Sequence, residues 1–585
     1  MRRRLVRAAV GLKAIVQSFQ ATSAPCLEPT PLARHNRGNL NDRSSAQMYL
    51  PNRTYRTLMM GRRGAVGANH PLATQAGLDT LRAGGNAVDA AVAIGLSLGV
   101  VEPMMSGLGG DGFYQVHMAK TGRTQCWNAT GAAPLAATPE RFRAAGIAVR
   151  GPLSVSTPGF LGGVAAMHAA LGSLPWRDLC APAIEQARDG FCATHHYRHF
   201  AAEARDVLTA DRRSHAVFLG GLDGGAPALA SVIRQPDLAR TLEEIAGGGA
   251  ETFYRGALAR RLLAGMREAG VLVDERDLEQ CQPEVQEPIG IAYRGFRVTQ
   301  TPPNSTGFTM LQMLKIVERF DFSGLDPVRR VHVLVEAKKR AFVDRERYGT
   351  DPRFGDVPLD RLLSDAYADE CAASIDMAHA ADIVLAEPER AGDTTYFCVV
   401  DAEGNAVSGI QSINSGFGSG VTAGDTGVLL NNRMAYWHLT EGHANRLVPG
   451  KRVRHTMNAP MVFRDGKLWA VEGTPGADNQ VQVNLQVLTA MMDLDADPQT
   501  ALEAPRWTSI QQGQGANWPH EGDGRLTIEP GFGADVLSGL ERLGHRLNRV
   551  GPLEAPCNVQ AIRVMENGVR MAGSDPRRDG WAGAF

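Results

Sequence analysis

The chain is 585 residues long, more than one hydrophobic core usually organises, and 44% hydrophobic with 21% charged residues is the composition of an ordinary folded globular protein. Its 61 Lys and Arg balance 62 Asp and Glu, which removes the bulk electrostatic case for nucleic acid or an anionic membrane and points to a small-molecule partner. No run approaches the roughly 20 apolar residues of a membrane span.

At the N-terminus, Arg2, Arg3, Arg4 and Arg7 precede a weakly apolar stretch, Ala8 to Phe19, that Lys13 and Gln17 interrupt. A secretory signal needs an unbroken apolar stretch of about 7–15 residues, so a cytoplasmic location is expected over a periplasmic or secreted one. The eight cysteines are scattered without a CxxC pair, which fits a reducing compartment. Residues 27–55 are polar and rich in Asn, Arg and Pro, and residues 1–55 read as a loose arm or leader.

The ordered part is expected from near Gly64, with a small-residue strand to Asn69. Leu72 to Arg82 reads as a short helix stopped by Gly84-Gly85. Asn86 then caps a second helix, Ala87 to about Val101, so apolar that it must be buried on most sides. A glycine-rich loop, Gly107 to Phe113, leads into a strand from Tyr114 to Met118. The middle, about 150 to 380, reads as mainly helical. In Pro327 to Tyr348 the apolar residues keep helical spacing, and Glu336, Lys339 and Arg340 are expected on other faces. From Thr394 the pattern turns to strands: Thr394 to Asp401 and Ala406 to Ser412 flank a turn at Ala402-Glu403-Gly404-Asn405.

Two motifs carry little. Gly107, Gly109 and Gly112 satisfy GxGxxG, but a helix precedes and a strand follows, the reverse of a dinucleotide site. His195, His196 and His199 have no acidic neighbour, and Arg198 among them repels a cation, so a solvated helix start is the better reading. There is no GxSxG elbow for a serine hydrolase. Nothing calls for a metal or a cofactor.

A Thr opening an apolar strand is unremarkable alone, because β-branched residues favour strands. The surrounding motifs change that. His70-Pro71-Leu72-Ala73, Gly84 to Ala91, the Gly107 to Phe113 loop, Phe253-Tyr254-Arg255-Gly256 and Glu336-Ala337-Lys338 occur in order. They are followed by Asp393-Thr394-Thr395, Phe417-Gly418-Ser419-Gly420, Asn431-Asn432, Pro449-Gly450-Lys451-Arg452, Thr474-Pro475-Gly476 and Asp575-Pro576-Arg577. In this series the chain, from about Gly64 to its end, resembles the gamma-glutamyltranspeptidase family of N-terminal nucleophile hydrolases.

The resemblance implies an α/β protein, a four-layer αββα sandwich with a helical middle region. It implies a proenzyme that cuts itself between Asp393 and Thr394, leaving a large subunit (56–393) and a small catalytic subunit (394–585) that stay together as a heterodimer, with a dimer of these left open. Thr394 would be the nucleophile. A threonine hydroxyl needs an adjacent base, and its own α-amine, with a reference pKa near 7.7–8.0, becomes one only after cleavage. By family position Thr395 and Ser412 would hold the hydroxyl and amine, with Asn414 on the same strand face as Ser412. The backbone N–H groups of Gly476 and Ala477 would bind the oxyanion. Ala477 stands where a second glycine is usual, which keeps the N–H and restricts φ.

The head-group ligands depart from the family. Where the transpeptidases use Arg for the glutamyl α-carboxylate this chain has Thr130, and where an acidic residue holds the α-amino group it has Tyr436, with Arg433 nearby. The usual Ser-Ser pair is His455-Thr456, and the segment from Trp437 to Arg454 is short for a lid. The substrate is therefore open between glutathione-type γ-glutamyl amides and the oxamate, glutaryl or cephalosporin-type amides of acylase-like members. An uncleaved, inactive scaffold of the same fold is the reading outside enzymes. Arg433 suggests an acyl group with a carboxylate and no α-ammonium, unless its side chain faces solvent.

Overall fold

In the computed structural model the described residues are 50–51, 53–221, 225–322, 324–385, 393–517 and 519–585. Most of the arm expected over residues 1–55 lies outside them. The chain is tied down before Gly64. The backbone N–H groups of Tyr55 and Arg56 donate to the Glu503 carboxylate at 2.5 and 2.9 Å, and a strand at Met59–Gly61 pairs with Arg570–Ser574.

The elements that build the site are β1 (Gly64–Ala68), α1 (Pro71–Arg82), α2 (Ala87–Val101), β2 (Asp111–Met118), α3 (Pro327–Tyr348), β3 (Asp393–Asp401), β4 (Ala406–Asn414) and β5 (Lys467–Gly473). Helix α2 follows its sequence closely. Asn86 accepts from the N–H groups of Val88 and Asp89 while Asp89 accepts from the N–H of Asn86, a reciprocal cap. All fifteen of its residues are buried.

Two seven-stranded sheets form the middle layers. One runs Trp581–Ala584, β1, β3, β4, β2, Arg123–Ala129 and Glu284–Gln286; the other centres on β5, between Gln560–Val564 and Met461–Arg464. Alternation along β3 assigns its two faces. Tyr396, Cys398 and Val400 point between the sheets against Met461, Val471 and Ile562, whereas Phe397 and Val399 point to the outer helices with α2. Helices α3 and Gln480–Asp493 cover the second sheet. The architecture is the expected αββα sandwich.

The middle is mainly helical, as expected, with Glu284–Gln286, Ile289–Tyr293 and Phe296–Gln300 as short strands within it. The face of α3 that carries Glu336 is not solvated there. Glu336 is fully buried and ion-paired with Lys339 and Arg340, both at 2.7 Å, because the segment after residue 376 covers that side and the Ala381 N–H also donates to it. A buried charge needs such partners, and i+3 and i+4 cations supply them.

Candidate active site

The hairpin of β3 and β4 sets the centre. Its register changes between Asp393↔Asn414 and Thr395↔Gln411, so Thr394 faces two residues of β4, Ser412 and Ile413. Such a bulge frees a strand residue from the ladder and re-aims its side chain. Thr394 is buried, and its Oγ1 donates to Ser412 Oγ at 3.2 Å. Ser412 Oγ also accepts from the N–H of Asn414 at 2.8 Å. Across the next ladder Ser412 is paired with Asp111 of β2. Thr394, Ser412 and Asp111 thus stand in a row across three neighbouring strands, spanning about 10 Å at the usual strand spacing.

Thr395 points to the opposite face. Its hydroxyl donates to Glu102 Oε2 at 2.5 Å, the buried residue that ends α2. Asn414, at φ 80°, donates from Nδ2 to the Asn432 carbonyl (3.1 Å) and to Asn517 Oδ1 (2.8 Å). Arg433 Nη1 lies 3.5 Å from Asn414 Oδ1, which links the head-group residues to the hairpin.

Sequence alone leaves Arg433 able to face solvent; in the structure it is 1% exposed, in the 3₁₀ turn Arg433–Tyr436. Its guanidinium lies over the Tyr436 ring, 4.7 Å from the centroid, and the Tyr436 hydroxyl meets Thr456 Oγ1 at 3.2 Å. Asp111 faces this group. Its Oδ1 accepts from the Gly131 N–H at 2.8 Å, while Oδ2 lies 3.6 Å from both Arg433 Nε and His455 Nε2, too far for a hydrogen bond. Burial lifts the Asp111 carboxyl to about 6, against the opposing pull of Arg433, Gly131 and Arg452. Burial, then Arg433 and Arg452, drive the His455 imidazole well below its ordinary range, so it is neutral. Asp111 Oδ2, Arg433 Nε and Nη2, and both ring nitrogens of His455 are buried without a hydrogen-bond partner.

Thr130 lies one residue from this group. Its N–H and hydroxyl both donate to Asn128 Oδ1 (3.2 and 2.7 Å), and its carbonyl accepts from Arg452 Nε at 2.9 Å. The next residue, Gly131, is the one bonded to Asp111. Gly476 and Ala477 open the 3₁₀ turn Ala477–Asn479, where leading N–H groups have no acceptor within the turn. Strand β5 brings the chain there past Tyr396, two residues from Thr394: a Cβ on Gly473 would come within 2.4 Å of the Tyr396 ring. Gly476 has φ 120°, and a Cβ on it would lie 2.3 Å from Cys557 Sγ, so only glycine fits. Ala477 is held in the left-handed region at φ 48°. The turn is anchored by an ion pair between Asp478 and the buried Arg345 of α3.

Asp111, Glu102 and Arg345 are not singled out by the sequence. Asp111 is visible there only as the one acidic residue of a glycine-rich loop, and nothing local marks the other two. His195, His196 and His199 begin the helix His195–Glu203, and His199 does have an acidic neighbour, Glu203 one turn on at 3.3 Å. Two His/Glu groups among the described residues have ligand-like spacing. Glu336 of the first is held by Lys339 and Arg340, and Glu346 of the second by Arg345 and Arg454. Neither carboxylate has unbalanced charge to offer a cation.

The gamma-glutamyltranspeptidase family model matches residues 73–585. The glutathione hydrolase-like YwrD proenzyme of Bacillus subtilis is 37% identical over 90% of this chain and 99% of its own length. The oxamate amidohydrolase proenzyme of Klebsiella pneumoniae is 34% identical over 89% and 98%. The crystal structure of a cephalosporin acylase from Bacillus halodurans superposes with a TM-score of 0.84 at 35% identity, covering 92% of this chain and 98% of that one. Fold and likeness together define an enzyme of the N-terminal nucleophile hydrolase class, acting on amide bonds by hydrolysis or transfer. The chain belongs to the gamma-glutamyltranspeptidase family.

Proposed function

We propose that the chain is a self-processing amidohydrolase with Thr394 as nucleophile, and that its acyl pocket takes a group carrying a carboxylate. The observation that carries the first part is the buried Thr394 hydroxyl, set opposite the bulge in β4 and donating to Ser412. In maturation Thr394 Oγ1 attacks the Asp393 carbonyl, the acyl group moves from nitrogen to oxygen, and water hydrolyses the ester. This frees the Thr394 α-amine. In turnover that amine accepts the hydroxyl proton as Oγ1 attacks the substrate amide, and the proton leaves with the departing amine. Gly476 and Ala477 would stabilise the tetrahedral oxyanion through their N–H groups. Water, or an acceptor amine, then takes the acyl group.

The second part is supported by Arg433, whose Nε and Nη2 are buried donors without partners. A planar guanidinium suits a carboxylate, and Arg433 stands against the single carboxylate of Asp111, since Arg452, which also acts on it, is ion-paired with Glu284. Oxamate and glutaryl amides fit this description. The presence of Asp111 also supports a second reading, a γ-glutamyl head with its ammonium on Asp111 and its carboxylate on Arg433.

Denaturing electrophoresis tests the mechanism. Purified protein should separate into two chains, the smaller beginning at Thr394. Thr394→Ala should stay full-length and inactive; normal processing of that variant would end the proposal. For the substrate, kcat/KM on a glutaryl anilide against the matching γ-glutamyl anilide separates the two readings.

A further inference from the structure

We propose that Asp111 sets which acyl groups the pocket accepts by taking up a proton with an incoming anion, so that a substrate carboxylate is held between the Arg433 guanidinium and a neutral Asp111 carboxylic acid. This deepens, and rests on, the reading of Arg433 as the anion site.

Asp111 stands opposite Ser412 in the ladder, two strands and about 10 Å from the nucleophile, on the face where Thr394 and Ser412 meet. One of its oxygens is committed to the Gly131 N–H; the other has no hydrogen bond, and Arg433 Nε lies 3.6 Å away with no hydrogen bond of its own. By themselves the two groups are balanced, with one carboxylate offset by one guanidinium. A second carboxylate bridging to Arg433 would lie within a few ångströms of the first, and both Asp111 and Arg433 are buried. Two carboxylates sharing such a site cannot both stay ionised. A proton from solvent on Asp111 Oδ2 removes the repulsion and turns an orphan acceptor into a donor for one substrate oxygen, leaving the other to Arg433. No bond other than O–H forms.

The ionisable groups acting on or near Asp111 are Arg433, Arg452, His455, Tyr114, Tyr254 and Cys281. Burial drives His455 well down, both tyrosines well up and the Cys281 thiol to about 12. Asp111, already lifted to about 6, is the group among them that can change charge near neutrality. The sign follows from linkage. Anion binding raises this carboxyl further, so above about pH 6 affinity falls as pH rises, by about tenfold per unit for one proton, and it levels off below that.

The test is calorimetry of glutarate binding to the processed enzyme near pH 7, in buffers of different ionisation enthalpy, with wild type and Asp111→Asn. Wild type should take up about one proton more than the variant, and its affinity relative to the variant should fall about fiftyfold between about pH 6 and 8. Should Asp111→Asn fail to fold, wild type alone decides, because glutarate should bring in about one proton more than butyrate, which offers the same carboxylate to Thr394 and none to Arg433. Equal uptake in both proteins, or in both ligands, overturns the coupling and leaves Arg433 as an anion site. No glutarate binding at any pH overturns the anion site itself, and this inference with it. Neither result bears on whether Thr394 is the nucleophile, which processing reports separately.

Discussion

Replacing Arg433 by Met keeps most of the side-chain volume over the Tyr436 ring and removes the guanidinium. Three of its nitrogens matter. Nη1 makes one long contact with Asn414 Oδ1 (3.5 Å), while Nε and Nη2 have no hydrogen-bond partner. The hydrogen-bond loss to the free enzyme is therefore small, and Asp111, deprived of its nearest cation, stays buried by becoming protonated. The loss to a bound carboxylate is larger, because the two free donors are those it would use. One hydrogen bond to a charged group contributes about 1.5–3 kcal/mol, and two donors on one rigid fork are not additive, so the same range is taken for the pair. In kcat/KM that is about 10- to 150-fold for a glutaryl anilide, with a change of less than about threefold for a neutral butyryl anilide. Initial rates over a substrate series measure both. An equal loss on the neutral and the anionic substrate would show that the Arg433→Met substitution had merely disturbed the hairpin through Asn414. A clear preference for γ-glutamyl over glutaryl anilide, undiminished in Arg433→Met, would show that another residue holds the ammonium and that the carboxylate reading is wrong.

Two further outcomes follow from the hairpin and the turn. Ser412→Ala removes the acceptor of the Thr394 hydroxyl and of the Asn414 N–H, so kcat should fall about 10²–10³-fold while KM changes little; a change confined to KM would make Ser412 a binding residue. Ala477→Gly should keep kcat within about twofold, because the N–H remains, and should leave stability unchanged or raise it by up to about 1 kcal/mol in a thermal melt. Relief of about 1–2 kcal/mol of left-handed strain is set there against glycine's greater unfolded-state entropy. A tenfold drop in kcat would show that the methyl group helps shape the oxyanion turn.

How far these residues can be read without the fold depends on whether their signal is local. The cap and apolar run of α2, the helix Pro327–Tyr348 and the hairpin from 393 to 414 are written in consecutive residues, and their boundaries agree with the structure within two residues. The strands between 284 and 300 escape the pattern because they are short and sit inside a helical stretch. Site chemistry divides the same way. Thr394 and Ser412 lie on adjacent strands of one hairpin, so motif and geometry coincide. Asp111, Arg433 and His455 are more than 300 residues apart at the extremes, and only the ladder pairing of Ser412 with Asp111 brings the acid into the pocket. Reading Arg433 and Tyr436 along the chain therefore suggests a pocket without an acidic group. With Asp111 in place, the cation that should favour anions already has a counter-ion. What the pocket selects then turns on the protonation of a single carboxyl group rather than on the sign of one arginine.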